Sequence, residues 1–232
     1  MLFVEVRNEP GSNREYAAGR EADMKAAAAH LANENLKVSV VNTNLLRFPW
    51  PGSPSADQTR WDHRMEDWEK ALRCAQIMGA DKVRVFAGTR VADPAGMVQR
   101  TADTLLEMAA ESEKEKVSLI LENDPSTNVA TCAELAEVMK LAPSKWVGIN
   151  WKPAPDGFPL LPKKRILNVR VLAATLAPGR PESINWKTIL IALDKDGYGG
   201  RITLEVGQPG SKSIDIARDS LDQLVHIVRE VS

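Results

Sequence analysis

Residues 117–124 read VSLILEND and residues 201–207 read RITLEVG, and in each run an apolar stretch ends in a glutamate, Glu122 and Glu205. Two further runs, VGINWKP at 147–153 and ILNVRVLA at 166–173, carry Lys152 and Arg170 at similar points. If the four runs are neighbouring parallel strands of a barrel, two carboxylates and two cations meet at one mouth. These four runs therefore decide both the predicted fold and the predicted site.

Seven short runs in this chain are rich in Val, Ile and Leu and are almost continuously apolar. Strands that are covered by helices on both faces have this composition. The predicted strands are Leu2–Arg7, Lys37–Thr43, Lys82–Ala87, Val117–Glu122, Trp146–Trp151, Ile166–Leu172 and Ile202–Val206.

Helical spacing fills the intervals between these runs. Trp61, Met65 and Trp68 recur every three or four residues, which places them on one predicted helix face. An Ala-rich helix is predicted over Glu21–Asn35, and Gly79 stands where a helix should end before a strand. Strands that alternate with helices predict a parallel sheet joined by right-handed crossovers.

The chain shows no internal division. No linker rich in Pro, Gly or Ser interrupts it, and no Gly-rich phosphate fingerprint follows the first strand. We therefore predict one domain over 1–232, an α/β fold of the (β/α) barrel type rather than an open doubly wound sheet. A closed barrel of this type has eight strands, one more than the sequence offers. Two exposed strand edges would need cover, so we expect a loop, a helix or a second subunit of a homodimer over the gap.

Composition narrows the class of protein. The 232 residues are 44% hydrophobic and 26% charged with a formal net charge of −1, and no block of Lys or Arg appears. Nucleic-acid binding is therefore not expected, because it depends on a basic surface. Cys74 and Cys132 lie in helix-like segments without a CxxC pair and are expected to be free thiols in a reducing cytoplasm. No apolar run approaches the ~20 residues of a membrane span.

Several motifs resemble those of xylose-isomerase-like barrels, a family of sugar and sugar-phosphate isomerases and epimerases. LILEND resembles the family's Leu-x-Leu-Glu-Asn-His signature, and DGYGGRITLEV resembles its Gly-Tyr-x-Gly-x-x-x-x-Glu ending. VGINWKP, ILNVRVLA and RVFAG, which contains Arg84, are similar to further strands of that family. LFVEVR looks like the family's second strand. The resemblance therefore implies a TIM-like barrel that lacks its first strand and helix.

The resemblance also implies a divalent metal, held by Glu, Asp, His and Glu at four successive strand ends. At the matching positions this chain has Glu122, Lys152, Arg170 and Glu205. Protonated Lys and Arg have no lone pair to offer a metal. The three histidines lie in helix-like segments, so none of them is placed as a ligand. We predict that no metal is needed and that Lys152 and Arg170 pair with Glu122 and Glu205 in its place.

The leading hypothesis is an isomerase or epimerase of a small sugar, sugar phosphate or hydroxy-carbonyl compound. Glu122 and Glu205 would act as base and acid, and Lys152 and Arg170 would hold the enediolate oxygens. Further candidate substrate-binding residues are Asn123, Arg84, Arg180 and Trp50.

Three alternatives remain open at this point. In the first, the four charged residues have no catalytic role and only fill the barrel mouth. Buried ion pairs add little net stability, and a carboxylate paired with cations is a poor base. The barrel would instead be a non-catalytic module that binds a small anion at Lys152 and Arg170. The third alternative, an abasic-site endonuclease of the same superfamily, is disfavoured because such enzymes use several His ligands.

Overall fold

The protein is described by a computed structural model over residues 2–7, 21–153, 158–177, 179, 183–207 and 213–231. Seven parallel strands pair in chain order, so that each strand neighbours the next one along the sequence. The strands are β1 Leu2–Arg7, β2 Leu36–Asn42, β3 Lys82–Val85, β4 Ser118–Glu122, β5 Val147–Trp151, β6 Ile166–Leu172 and β7 Arg201–Glu205. This is the predicted TIM-like (β/α) barrel, and each predicted strand is found within two residues of its expected ends.

Helices pack on the outside of the strands and bury the apolar core between the two layers. The helices are α1 Glu21–Asn33, α2 Gln58–Asp62, α3 Arg64–Met78, α4 Ala95–Glu115, α5 Cys132–Leu141, α6 Ala173–Leu176, α7 Trp186–Lys195 and α8 Ser213–Val231. Short 3₁₀ helices at Phe158–Leu160 and Lys163–Arg165 stand where the Pro-rich sequence excludes a full helix. None of the described helices combines the length and apolarity that a membrane span requires.

One helix prediction was wrong in detail. Trp61 belongs to α2, whereas Met65 and Trp68 belong to α3, because the chain breaks helical geometry at His63. The end of α3 agrees with the sequence: Gly79 adopts a left-handed φ of 69° and its N–H closes the last turn. Cys74 and Cys132 are buried and form no disulfide with each other, and burial raises the pKa of the Cys74 thiol to about 11.

The sheet is open between β1 and β7, where the described residues supply no backbone pairing. Side chains bridge this seam, because the guanidinium carbon of Arg201 lies 3.4 Å from the ring centroid of Phe3. Every residue of β7 is only half-buried, and α1 has no buried residue. The described part of the chain therefore leaves the seam partly covered, and the expected second subunit remains a prediction.

Candidate active site

A cavity of about 250 Å³ opens at the carboxyl-terminal end of the strands. This volume lies near the lower end of ligand pockets, which typically hold about 300–1,000 Å³, so it suits a small ligand. Its walls carry five cations, four carboxylates and two amides. The lining residues are Glu5, Arg7, Asn42, Asn44, Arg47, Arg84, Glu122, Asp124, Lys152, Arg170 and Glu205.

Glu122 is held at the cavity by three hydrogen bonds to one of its oxygens. Its Oε2 accepts hydrogen bonds from Arg84 at 3.2 Å, from Arg170 at 2.7 Å and from the Asn150 amide at 2.6 Å. No described residue donates to its Oε1, although Glu122 lines the cavity. One oxygen is therefore fixed to the protein, and the other remains available to a ligand.

Arg170 links the two glutamates that the sequence singled out. Its guanidinium contacts Glu122 through Nη1 and lies 3.0 Å from Oε2 of Glu205 through Nη2. The side chain of Glu205 is 39% exposed, whereas those of Arg170 and Glu122 are 6% and 4% exposed. Burial lowers the pKa of Arg170, but the charges of Glu122, Glu5 and Glu205 outweigh it and raise that pKa above its ordinary value.

Arg84 reaches the same carboxylate from the other side. It donates through Nε and Nη2 to the Thr43 carbonyl at 3.3 and 3.0 Å, which fixes the guanidinium beside Glu122. Burial lowers the pKa of Arg84 despite the neighbouring Glu122. Guanidinium groups nevertheless stay protonated in proteins, so Arg84 and Arg170 both contribute fixed positive charge.

The expected pairing of Lys152 with the two glutamates is wrong. Its ammonium lies 3.7 Å from Oδ2 of Asp124, and Oδ1 of the same carboxylate accepts a hydrogen bond from Arg47 at 3.2 Å. The reason is local: Lys152 follows the end of β5, one position beyond the strand, and therefore reaches the rim of the cavity. Burial raises the pKa of Asp124, but hydrogen bonds from Ser126 and the charges of Arg47 and Lys152 lower it overall.

A line of polar side chains joins two residues that line the cavity, Glu5 and Glu122. The Thr203 hydroxyl donates to Oδ1 of Asn168 at 3.0 Å, and the Asn168 amide nitrogen donates to Oδ1 of Asn150 at 2.8 Å. The Asn150 nitrogen then donates to Glu122. Asn168 also donates to Oε1 of Glu5 at 3.0 Å. Ionised carboxylates only accept hydrogen bonds, so Glu122 and Glu5 set the orientation of the two amides.

The remaining predicted residues lie outside this cavity or outside the described residues. Asn123 exchanges two hydrogen bonds with the backbone of Lys152, at 2.7 and 2.9 Å, and so positions that rim segment. Trp50 is buried in the core, where its indole donates to the Leu46 carbonyl at 3.0 Å, and it does not line the cavity. Arg180 lies outside the described residues.

Sequence reasoning missed Glu5, Asn150 and Asn168. A signal was present, because each stands as a polar side chain inside an otherwise apolar strand that is covered on its outer face. Residues two apart in a strand share a face, so Asn168 and Arg170 were bound to point the same way. An apolar composition predicts a strand, but it does not show which of the polar exceptions face the cavity.

The described residues do not fit the divalent metal that the family resemblance implies. No group of three or more His, Cys, Asp or Glu side chains among them is arranged to hold a metal ion. The guanidinium of Arg170 lies between Glu122 and Glu205, where it contacts both carboxylates. Arginine supplies charge to such a site but no ligand atom.

Comparison with known proteins agrees with the barrel fold. The family model described as a xylose isomerase-like TIM barrel matches residues 3–154, and the chain belongs to that family. No curated protein matches the sequence.

Solved structures with the same fold include proteins that act on sugars. A structure of the IolI protein with a bound zinc atom has a TM-score of 0.78 at 14% identity, covering 99% of this chain and 89% of that one. L-ribulose 3-epimerase has a TM-score of 0.76 at 16% identity, with 100% and 85% coverage. D-psicose 3-epimerase from Clostridium cellulolyticum H10, solved with D-tagatose, has a TM-score of 0.70 at 15% identity, with 100% and 99% coverage.

Proposed function

We propose that this protein is an isomerase or epimerase that moves a proton on a small sugar, sugar phosphate or hydroxy-carbonyl compound. The observation that carries the proposal is the guanidinium of Arg170, which contacts Glu122 and Glu205 at the mouth of a family barrel. The sugar epimerases with the same fold support the reaction class. The proposed ligand is therefore carbohydrate-like or a small anion.

In this proposal Glu122 and Glu205 act as base and acid. Glu122 removes a proton from the carbon beside the carbonyl through Oε1, to which no described residue donates, and Glu205 returns one from its more exposed position. The developing enediolate is stabilised by the fixed charge of Arg170 and Arg84, with Lys152 at the rim. Positive charge on these side chains thus takes the role that a metal has in the family.

The proposal is tested by solvent exchange. The protein is incubated in D₂O with aldoses, ketoses and their phosphates, and deuterium on carbon is followed by NMR. Glu122→Gln and Glu205→Gln are each expected to lower the rate by about 10²-fold or more, the usual contribution of a general acid or base. Glu230→Gln, on the exposed side of α8, is the control. Unchanged exchange in both variants would contradict the proposal.

Metal content tests the charge-replacement part separately. The purified protein is exposed to manganese, zinc and magnesium, desalted and submitted to elemental analysis. We expect no stoichiometric metal, because Arg170 holds the position between the glutamates. A tightly held ion in each chain would restore the ordinary metal-dependent reaction.

A second candidate function is the binding of a small anion without catalysis. Three donors on Glu122 Oε2, two of them guanidinium groups, favour it, because ion pairing weakens a carboxylate as a base. Inorganic phosphate or glycerate would then raise the melting temperature, and no carbon-bound deuterium would appear. Lys152→Gln would reduce that rise.

A further inference from the structure

Glu5 is one of the four carboxylates that line the cavity, and its contacts differ from those of Glu122, Glu205 and Asp124. Its Oε1 accepts a hydrogen bond from Asn168 at 3.0 Å, and its Oε2 accepts one from the Asn42 amide. It forms no ion pair with any described residue. Glu122, by contrast, contacts two guanidinium groups, and Glu205 contacts one.

This difference matters for proton transfer. Direct contact with a cation stabilises the charged form of a carboxylate and makes it a weaker proton acceptor. Neutral amide donors position a carboxylate without neutralising its charge. Among the described residues Glu5 is the cavity carboxylate without a cation in direct contact, although its charge acts on the nearby guanidinium groups of Arg170 and Arg84. Each carboxylate oxygen can accept more than one hydrogen bond, so Glu5 retains acceptor capacity for a ligand.

Two buried amides connect Glu5 to Glu122. Asn168 donates to Glu5 and to Asn150, and Asn150 donates to Glu122. The two carboxylates thus stand at the two ends of one line of amides. Both carboxylates line the cavity, so a small molecule that occupies it can contact both of them.

We propose that Glu5 accepts the hydroxyl proton of the substrate, so that the reaction moves a carbonyl group between neighbouring carbons and does not merely invert one centre. This rests on the proposed function and deepens it. A shift of the carbonyl requires one carbon-bound proton and one oxygen-bound proton to move. Two carboxylates serve the first transfer, and a third serves the second.

The step begins when Glu122 takes the proton from the hydroxyl-bearing carbon. The C–H electron pair becomes the double bond of an enediolate, and the former carbonyl oxygen then carries the negative charge. Glu5 takes the hydroxyl proton and passes it to that oxygen, while a new C=O bond forms at the hydroxyl-bearing carbon. The double-bond pair accepts a proton from Glu205, which enters this step as the carboxylic acid. Glu122 then releases its proton to solvent, and Glu205 takes one from solvent, so that both groups return to their starting states.

The decisive variant is Glu5→Gln, which keeps the shape of the side chain. Its amide oxygen can accept from Asn168, and its amide nitrogen faces Asn42. Oδ1 of Asn42 is buried without a hydrogen-bond partner, so Asn42 can turn its amide and accept the new donor. The variant is therefore expected to fold with a melting temperature close to that of the unaltered protein.

The experiment follows two products in D₂O on the same panel of aldoses, ketoses and their phosphates. The unaltered protein is expected to give deuterium on carbon and also the isomer in which the carbonyl has moved. Glu5→Gln should keep deuterium exchange but lower isomer formation by about 10²-fold. Glu5→Asp, which retains a carboxylate, should recover part of the loss, and Glu230→Gln should match the unaltered protein.

Three results would overturn the role of Glu5: loss of both products in a folded Glu5→Gln variant, retention of both, or exchange without any isomer in the unaltered protein. The last result leaves the proposed epimerase chemistry standing. Absence of exchange from the unaltered protein overturns the proposed function itself and the role of Glu5 with it.

Discussion

Single residues decide how the charge of this cavity is balanced. Arg170 lies two positions beyond Asn168 on β6, and both side chains face inward. Asn168 contacts Asn150, and Arg170 contacts the two glutamates. Removing one member of a buried ion pair usually costs more stability than the pair contributes, because the other charge is left without a partner. The charged residues of this cavity therefore depend on one another.

Asp124 allows a prediction about pH. Its pKa is lower in the folded protein than in the unfolded chain, where it is about 4, so its ionised form stabilises the fold above that value. The contribution is lost as the pH falls through about 4 toward the folded-state pKa. Asp124→Asn should therefore flatten the acid side of the stability profile, measured as the urea midpoint between about pH 6 and pH 3. An unchanged slope would contradict this assignment.

Sequence reasoning at this scale found the acids more reliably than their partners. Glu122, Arg170 and Glu205 meet at one place, as the alignment of strand ends required. The expected pairing of Lys152 with Glu122 and Glu205 is wrong. Lys152 lies one position past the end of β5, so its side chain reaches Asp124 at the rim of the cavity. Such a choice depends on the tilt and register of neighbouring strands, which no single sequence run contains.

At the scale of elements, α5 shows how one local signal supports the site. Thr131 accepts a hydrogen bond from the Glu134 backbone, and the Glu134 carboxylate accepts from the Thr131 backbone, which completes a capping box. Arg90, in the segment after β3, pairs with the same Glu134 at 3.0 Å. The start of α5 thereby anchors the segments that follow β3 and β4.

Thr131→Ala should remove that anchor at a measurable cost. Loss of a helix N-cap hydroxyl typically destabilises a protein by about 1 kcal/mol, which urea unfolding resolves. Thr131→Ser keeps the hydroxyl and serves as the matched control. Equal unfolding free energies for the two variants would show that the cap contributes nothing measurable here.

The elements themselves were the most predictable level. Continuous apolar runs marked the seven strands because both faces of each strand are covered. The break between α2 and α3 at His63 was missed, since the spacing of Trp61, Met65 and Trp68 remains helical across it. Periodicity reports which side chains face the core, but it does not report where the backbone changes direction.

For the whole molecule, the open seam between β1 and β7 is the dominant feature. The helix that follows β7, α8, carries exposed apolar side chains: Ile214, Leu221 and Val225 have relative exposures of 70%, 45% and 37%. Exposed strand edges and apolar helix faces favour association. We propose that the seam is covered in a homodimer.

Sedimentation velocity tests this proposal at the same scale. The unaltered protein is expected to sediment as a dimer, and Leu221→Lys is expected to shift it toward the monomer, because a charge then replaces an exposed apolar contact. Lys187→Met, which alters the α7–α8 surface pair with Glu230, controls for changed surface charge. If the unaltered protein sediments as a monomer at all concentrations, the proposed homodimer is wrong.

The amide line beneath the cavity also provides a natural spectroscopic probe. Asn150 and Asn168 are fully buried, and their side-chain nitrogens are bonded to oxygen acceptors. Hydrogens held in this way exchange slowly with water, so their ¹H–¹⁵N signals should persist long after surface amides have been replaced by deuterium. These side-chain amide signals, assigned with the Asn150→Asp and Asn168→Asp variants, would then shift when a compound enters the barrel. They would identify ligands before any substrate is known.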